Sequence, residues 1–191
     1  MKRDYVTIVS GLPRSGTSMM MKMLDEAGLP ALTDQIRKAD ADNPKGYYEF
    51  ELVKKTRQDP SWLAGATGKC VKMVYRLLYD LPDGYQYRVI LMRRNLDEVL
   101  QSQEVMLERS GKGGGTLSND KLKAMFQAEM EKAARWMSER PNFAFIDVNY
   151  NQMLAEPRPQ VKRLNDFLGG DLSEQKMLEA IDPNLYRQRK S

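Results

Sequence analysis

Short apolar runs alternate along the chain with longer amphipathic segments. Residues Tyr5–Ser10 form a β-branched run without a helical stripe, which stops at Gly11 and predicts a buried strand. Similar runs predict strands over 69–74, 87–92 and 143–148, and helical patterns cover 17–27, 96–108, 119–140, 157–168 and 173–181. Strands that alternate with helices predict an α/β fold: a three-layer, P-loop-like domain with a central parallel sheet flanked by helices.

The predicted strands also indicate where a ligand would bind. Ligands of parallel sheets lie at the carboxyl ends of the strands, so the loops after Ser10, Val74, Met92 and Val148 are expected to converge on one site. Residues 30–50 are predicted to be a polar loop, and the glycine-rich segment 111–115 is a candidate mobile loop. The length of 191 residues predicts a single domain over 1–191.

Composition removes several reaction classes. The chain has no histidine and one cysteine, Cys70, which excludes a Ser-His-Asp triad, a histidine or cysteine zinc site and a disulfide within the chain. A reducing, cytoplasmic setting fits this composition. No apolar stretch has the length of a membrane span, and the N-terminus lacks the pattern of a signal peptide. Lys plus Arg (30) exceed Asp plus Glu (26), a surplus that suits an anionic ligand but is too dispersed to predict nucleic-acid binding.

The most informative segment is Gly11-Leu-Pro-Arg-Ser-Gly-Thr-Ser18, between the first strand and the first helix. It has the glycine spacing of a P-loop, GxxxxGK[ST], but Thr17 stands at the lysine position. Its backbone N–H groups and the start of the helix can still bind a phosphate, with Arg14 as a cation inside the loop. The missing lysine makes it a poor ATPase loop. The alternative interpretation is a simple turn.

This octapeptide resembles the 5′-phosphosulfate-binding loop of sulfotransferases that use 3′-phosphoadenosine 5′-phosphosulfate (PAPS). The resemblance implies that Arg14 contacts the phosphosulfate and stabilises charge as the sulfuryl group departs. It also implies that the 5′-phosphate is bound by the next four residues, which are Ser15, Gly16, Thr17 and Ser18.

A second element of the same resemblance follows the third predicted strand. Arg94-Asn95 ends that strand, and Ser102 lies eight residues after Arg94, which is similar to the pair that binds the 3′-phosphate in this family. The alternative is that Arg94 caps the strand and Ser102 is a helix-surface serine. The resemblance also places Tyr150, after the last strand, near the adenine.

The C-terminal tail carries two further candidates. The resemblance implies that Arg187 and Arg189 contribute to the 3′-phosphate, and a solvated basic tail is the alternative.

The acceptor proton must go to a base, and the histidine that cytosolic members use is replaced here by Val74. Two residues before it, Lys72 is expected to stabilise the transferring group, or else to reach solvent as an ordinary strand lysine. Other branches use a glutamate after the first helix, which favours Glu49. Tyr47 and Tyr48 would shield it and line the acceptor pocket; a surface acid is the alternative. Asp34, Asp40, Asp42 and Glu51 are the other candidates.

The resemblance implies a sulfotransferase that moves a sulfuryl group from PAPS to a hydroxyl or amine of a small-molecule, glycan or peptide acceptor, without a metal. A P-loop kinase or nucleotide hydrolase is one alternative. A catalytically silent nucleotide-binding module is the other.

Overall fold

The structure, a computed structural model, describes residues 3–34, 48–109 and 118–181. Five of the candidate residues lie outside these ranges: Asp40, Asp42, Tyr47, Arg187 and Arg189. The glycine-rich segment 111–115 lies outside them as well.

Four parallel strands form one sheet, as the apolar runs predict. They are β1 (Tyr5–Gly11), β2 (Cys70–Lys72), β3 (Gln86–Arg93) and β4 (Phe143–Asn149), in the order β2-β1-β3-β4. Gly11 pairs in register with Met92, and Arg93 pairs with Asn149. The carboxyl ends of β1, β3 and β4 therefore meet along one edge of the sheet.

The long helices agree with the amphipathic segments, and the described part of the structure also contains one short α-helix and three 3₁₀ helices that the sequence did not predict. The described α-helices are α1 (Thr17–Glu26), α2 (Leu96–Arg109), α3 (Asn119–Ser138), α4 (Tyr150–Ala155), α5 (Pro157–Phe167) and α6 (Glu174–Ala180). The sequence did not predict α4, nor the 3₁₀ helices over Glu51–Lys55, Ser61–Gly65 and Tyr75–Asp80. All four are six residues or shorter, too short to show a helical period in the sequence.

Two apolar layers enclose the sheet and confirm the three-layer prediction. Helices α1, α4, α5 and α6 pack on one face, where the methionines of α1 (Met20, Met21 and Met23) are fully buried. Helices α2 and α3 and the 3₁₀ helices pack on the other face, around Val71, Leu91 and Met130. Both faces are thereby covered, so the carboxyl edge of the strands is left for the loops that carry the polar candidates.

Within the described ranges, none of the helices has both the length and the apolar character needed to cross a membrane.

Candidate functional site

The loop after β1 is a tight turn held in an unusual conformation. The amide of Ser15 donates to the carbonyl of Leu12 at 3.2 Å, and the Leu12 side chain is buried. Arg14 has φ 72°, a left-handed conformation that residues other than glycine rarely adopt. Such a conformation costs about 1–3 kcal/mol and persists only where surrounding contacts impose it.

Those contacts come from the end of β3 and from α2. Arg94 Nη1 donates to the carbonyl of Arg14 at 3.0 Å, and Gln103 Nε2 donates to the carbonyl of Pro13 at 3.2 Å. A free carbonyl oxygen would repel an anion, and both of these oxygens are engaged by side-chain donors. The two bonds therefore fix the turn and remove two sources of repulsion from it.

The side chain of Arg14 is held by the serine that the sequence paired with Arg94. Arg14 Nε donates to Ser102 Oγ at 2.9 Å. Ser102 is 6% exposed, so it is not a helix-surface serine. It lies two turns into α2, and its hydroxyl reaches the loop through this bond.

The start of α1 has the features of an anion site. Gly16 is the N-cap residue in a left-handed conformation, no side chain caps the helix, and its first turn contains no acidic residue. The first backbone N–H groups of a helix have no partner within the helix and carry partial positive charge. In the described part of the chain, the buried Ser15 Oγ also has no hydrogen-bond partner. The loop therefore fits the phosphate group that its sequence predicts.

The ring of Tyr150 packs between the loop and Arg94. A Cβ placed on Gly16 would lie 2.3 Å from Tyr150 Cδ2, and the guanidinium carbon of Arg94 lies 4.6 Å from the ring centroid. Tyr150 is 5% exposed. Its ring joins the end of β4 to the phosphate loop, while its place near the adenine stays a prediction.

Arg94 belongs to a buried polar network that sequence reasoning did not find. Its Nε donates to Glu98 Oε2 at 2.9 Å, and Asn151 Nδ2 donates to both oxygens of the same carboxylate at 3.1 and 3.2 Å. Glu98 is 2% exposed. The available signal was the i,i+4 spacing from Arg94 to Glu98, but an acid in the first turn of a helix is ordinarily explained by the helix dipole.

Lys72 lies at the other side of the loop, at the end of β2. Its Nζ donates to Ser18 Oγ at 3.5 Å and lies 4.0 Å from Glu49 Oε1. The side chain of Lys72 is 14% exposed, so it lies against the start of α1 rather than extending into solvent. The structure thus brings together three residues that the sequence predicted separately.

Glu49 is held in place through its backbone. Its carbonyl accepts from Thr33 Oγ1 at 3.0 Å and from the amide of Asp34 at 3.1 Å. The other described acids of this region have local partners: Asp34 Oδ2 accepts from the amide of Glu51 at 2.6 Å, and Glu51 pairs with Lys54 at 2.6 Å. Among these acids, Glu49 is the one that the structure places beside Lys72.

Tyr48 lies on the side of α1. Its hydroxyl donates to Asp25 Oδ2 at 3.4 Å, and burial together with Asp25 raises the pKa of Tyr48 to about 12. The expected role of Tyr48 in an acceptor pocket stays a prediction.

Two neighbouring groups have other roles. Arg93, next to Arg94, pairs with Asp147 on β4 at 2.5 Å. Cys70 is fully buried, and burial raises the pKa of its thiol to about 12, so it is not available as a nucleophile.

Among the described residues, no cluster of three or more His, Cys, Asp or Glu side chains could hold a metal ion.

Comparison with solved structures gives the same fold. The sulfotransferase domain from the curacin biosynthetic pathway matches with a TM-score of 0.55 and 12% identity, covering 97% of this chain and 80% of that one. A sugar kinase from Janibacter sp. HTCC2649 matches with a TM-score of 0.45 and 14% identity, covering 90% of this chain and 97% of that one, a likeness too slight to support a conclusion. At these identities, the first match shows the α/β fold alone.

Comparison with sequences identifies the family. No curated protein matches the chain. The model of the sulfotransferase family matches residues 48–174, a range that begins after the phosphate loop and includes Glu49, Lys72, Arg94, Ser102 and Tyr150. Because this range is more than half of the chain, the protein belongs to the sulfotransferase family.

Proposed function

We propose that this protein transfers a sulfuryl group from PAPS to a hydroxyl or amine of an acceptor. One observation carries the proposal: the ammonium of Lys72 lies between Ser18, at the start of the phosphate loop helix, and the carboxylate of Glu49. Sulfuryl transfer to an alcohol or amine needs a base for the acceptor proton and positive charge beside the transferred group, and this arrangement supplies both.

The donor would be held by residues that the structure brings to one edge of the sheet. The phosphosulfate would lie on Arg14 and on the residues Ser15, Gly16, Thr17 and Ser18. The 3′-phosphate would lie on Arg94 and Ser102, with Tyr150 near the adenine. The donor supplies the sulfuryl group, and 3′,5′-adenosine bisphosphate is its leaving group.

Ser102 can serve the ligand and the loop at the same time. A hydroxyl group has one hydrogen to donate and two lone pairs to accept with. Its oxygen accepts from Arg14 Nε at 2.9 Å, and its own hydrogen can be donated to a phosphate oxygen. Binding of the 3′-phosphate would therefore be linked to the position of the Arg14 side chain.

Different residues of this chain would act as the base and stabilise the developing charge. Glu49 takes the proton of the acceptor as the acceptor forms its bond to sulfur and the bond from sulfur to the phosphate oxygen breaks. Arg14 and Lys72 stabilise the negative charge that develops on the transferred group and on the leaving phosphate. The start of α1 adds its partial positive charge.

Calorimetric titration tests the donor assignment. We expect 3′,5′-adenosine bisphosphate to bind at least about tenfold more tightly than 5′-AMP or ATP, because each contact to a charged group contributes about 1.5–3 kcal/mol. Equal affinities would contradict the assignment. Arg14→Ala should weaken binding, whereas Arg93→Ala is the matched control, since Arg93 pairs with Asp147.

Transfer from ³⁵S-labelled PAPS to a panel of alcohols, phenols and amines tests the reaction itself. We expect turnover that Glu49→Gln lowers about 10²-fold or more while binding of the bisphosphate is retained. Donor binding without turnover on any acceptor would support a silent nucleotide-binding module. Magnesium-dependent turnover of ATP that is lost in Thr17→Ala and unchanged in Arg14→Ala would support a kinase or hydrolase.

A further inference from the structure

We propose that Glu98 is a positioning residue, which orients the guanidinium of Arg94 towards the 3′-phosphate of the donor. The inference rests on the proposed function, because the 3′-phosphate is the ligand group that Arg94 would bind. It assigns a role to a buried acid that no motif of the sequence singled out.

The carboxylate of Glu98 is fixed from two directions. Arg94 Nε donates to Oε2 at 2.9 Å from the end of β3, and Asn151 Nδ2 donates to both oxygens from α4. Asn151 is itself anchored, since its Oδ1 accepts from the amide of Asn95 at 3.2 Å. The acid is thus held by residues on both sides of the junction between β3 and β4.

The guanidinium of Arg94 is in turn fixed in plane and direction. Glu98 holds its Nε, the carbonyl of Arg14 accepts from its Nη1 at 3.0 Å, and the ring of Tyr150 lies 4.6 Å from its central carbon. An arginine binds phosphate through a rigid fork of donors, so the orientation of that fork decides whether it matches the ligand.

Electrostatics alone would not place a carboxylate here. A negative charge beside an anion site opposes binding of the anion, and a buried ion pair pays a desolvation cost that its attraction scarcely recovers. Orientation of Arg94 offsets the repulsion of the anion and the desolvation cost. A hydrogen-bond donor that is already held in the binding geometry loses less conformational entropy when the ligand binds.

A purely structural role predicts a different result from a positioning role. A variant that merely loosens the fold would weaken 5′-AMP and 3′,5′-adenosine bisphosphate alike. A variant that misdirects Arg94 would lower the ratio of the two affinities, because the two ligands differ only in the 3′-phosphate. The ratio is therefore the quantity to measure.

The test is calorimetric titration of Glu98→Gln with both nucleotides. We expect the preference for the bisphosphate to fall about tenfold. Asp97→Asn is the matched control, because it makes the same charge change one residue away, at an acid that pairs with Lys123 on α3. The preference of Asp97→Asn for the bisphosphate over 5′-AMP should equal that of the unmodified protein. A ratio in Glu98→Gln within twofold of the unmodified protein, or a higher one, overturns the inference.

Three further variants complete the test. If Glu98→Gln does not fold, Glu98→Asp is used in its place, because it keeps the charge but shortens the side chain by one methylene. We expect a lower ratio of bisphosphate affinity to 5′-AMP affinity, and an unchanged ratio overturns the inference. Arg94→Met and Arg94→Met/Glu98→Gln should share one ratio, since Glu98 acts through Arg94, and a further loss in the double variant contradicts this. If the unmodified protein shows no preference, the proposed function fails and this inference with it; a preference that survives in the Glu98 variants overturns the inference alone.

Discussion

The ring of Tyr150 lies directly against Gly16, the glycine that closes the phosphate loop. A Cβ at Gly16 would come within 2.3 Å of Tyr150 Cδ2, closer than any real side-chain contact allows. Gly16 also has φ 96°, a conformation that disfavours every L side chain. The residue is therefore glycine for two independent reasons, and the first, the contact with Tyr150, couples the phosphate loop to the segment after β4.

Gly16→Ala should separate these two reasons. Gly28 has a similar φ of 101° but open space where its Cβ would lie, so Gly28→Ala measures the conformational cost alone. We expect Gly16→Ala to lower the free energy of unfolding by about 1–3 kcal/mol more than Gly28→Ala, because Tyr150 must move. Urea unfolding measures the free energy of unfolding of both variants. Equal losses in the two would show that the Tyr150 ring moves aside without an energetic cost.

Ser102→Ala should weaken donor binding by releasing Arg14. The variant loses the bond that orients Arg14 Nε and the hydroxyl that would donate to the 3′-phosphate, so we expect the Kd of 3′,5′-adenosine bisphosphate to rise about tenfold. Ser138→Ala on α3 is the control, since that exposed hydroxyl bonds only locally, to the carbonyl of Arg135. An unchanged Kd in Ser102→Ala would remove Ser102 from the site.

Lys72→Met and Glu49→Gln should act on turnover more than on binding. We expect kcat to fall about 10²-fold or more in each, because the first removes a cation from the developing charge and the second removes the base. The exposed pair Lys54 and Glu51, at 2.6 Å, supplies the controls Lys54→Met and Glu51→Gln. Turnover in Glu49→Gln equal to that of Glu51→Gln would show that another group takes the proton.

Cys70 should be inert in the folded protein. Its side chain is fully buried and its pKa is raised to about 12, whereas the thiolate is the reactive form. Ellman's reagent at pH 8 should therefore label no thiol until urea unfolds the chain, and then one thiol per chain. Rapid labelling of the native protein would contradict the position of Cys70 in the core.

The same burial predicts a loss of stability in alkali. The unfolded thiol loses its proton near its ordinary pKa of 9 and the folded thiol near 12, so the contribution of Cys70 is complete below pH 9 and is lost as the pH rises through 12. Tyr48, raised from 10 to about 12, acts in the same direction. Urea unfolding between pH 8 and 11 should show a shallower decline in Cys70→Ala than in the unmodified protein, and an equal slope would contradict the assignment.

The strands, the long helices and the phosphate loop could be predicted because each has a local signal. The apolar run of β1 ends at Gly11, and the spacing of eight residues between Arg94 and Ser102 belongs to the family resemblance. The three layers follow from these elements, since parallel strands need helices on both faces, whereas the strand order β2-β1-β3-β4 was not predicted from the sequence.

The buried network around Arg94 could not be predicted in the same way. Glu98 and Asn151 are 53 positions apart and meet only because β3 and β4 are neighbours in the sheet. No functional role was predicted for Asn151 from the sequence. Its contact with Glu98 depends on α4, which is too short to leave a helical pattern in the sequence.

A crystal structure with 3′,5′-adenosine bisphosphate tests the central claim most directly. The account predicts the 5′-phosphate on the backbone N–H groups at the start of α1, beside Arg14, and the 3′-phosphate against Arg94 and Ser102. A nucleotide bound elsewhere, with the turn between Gly11 and Gly16 empty, would contradict it.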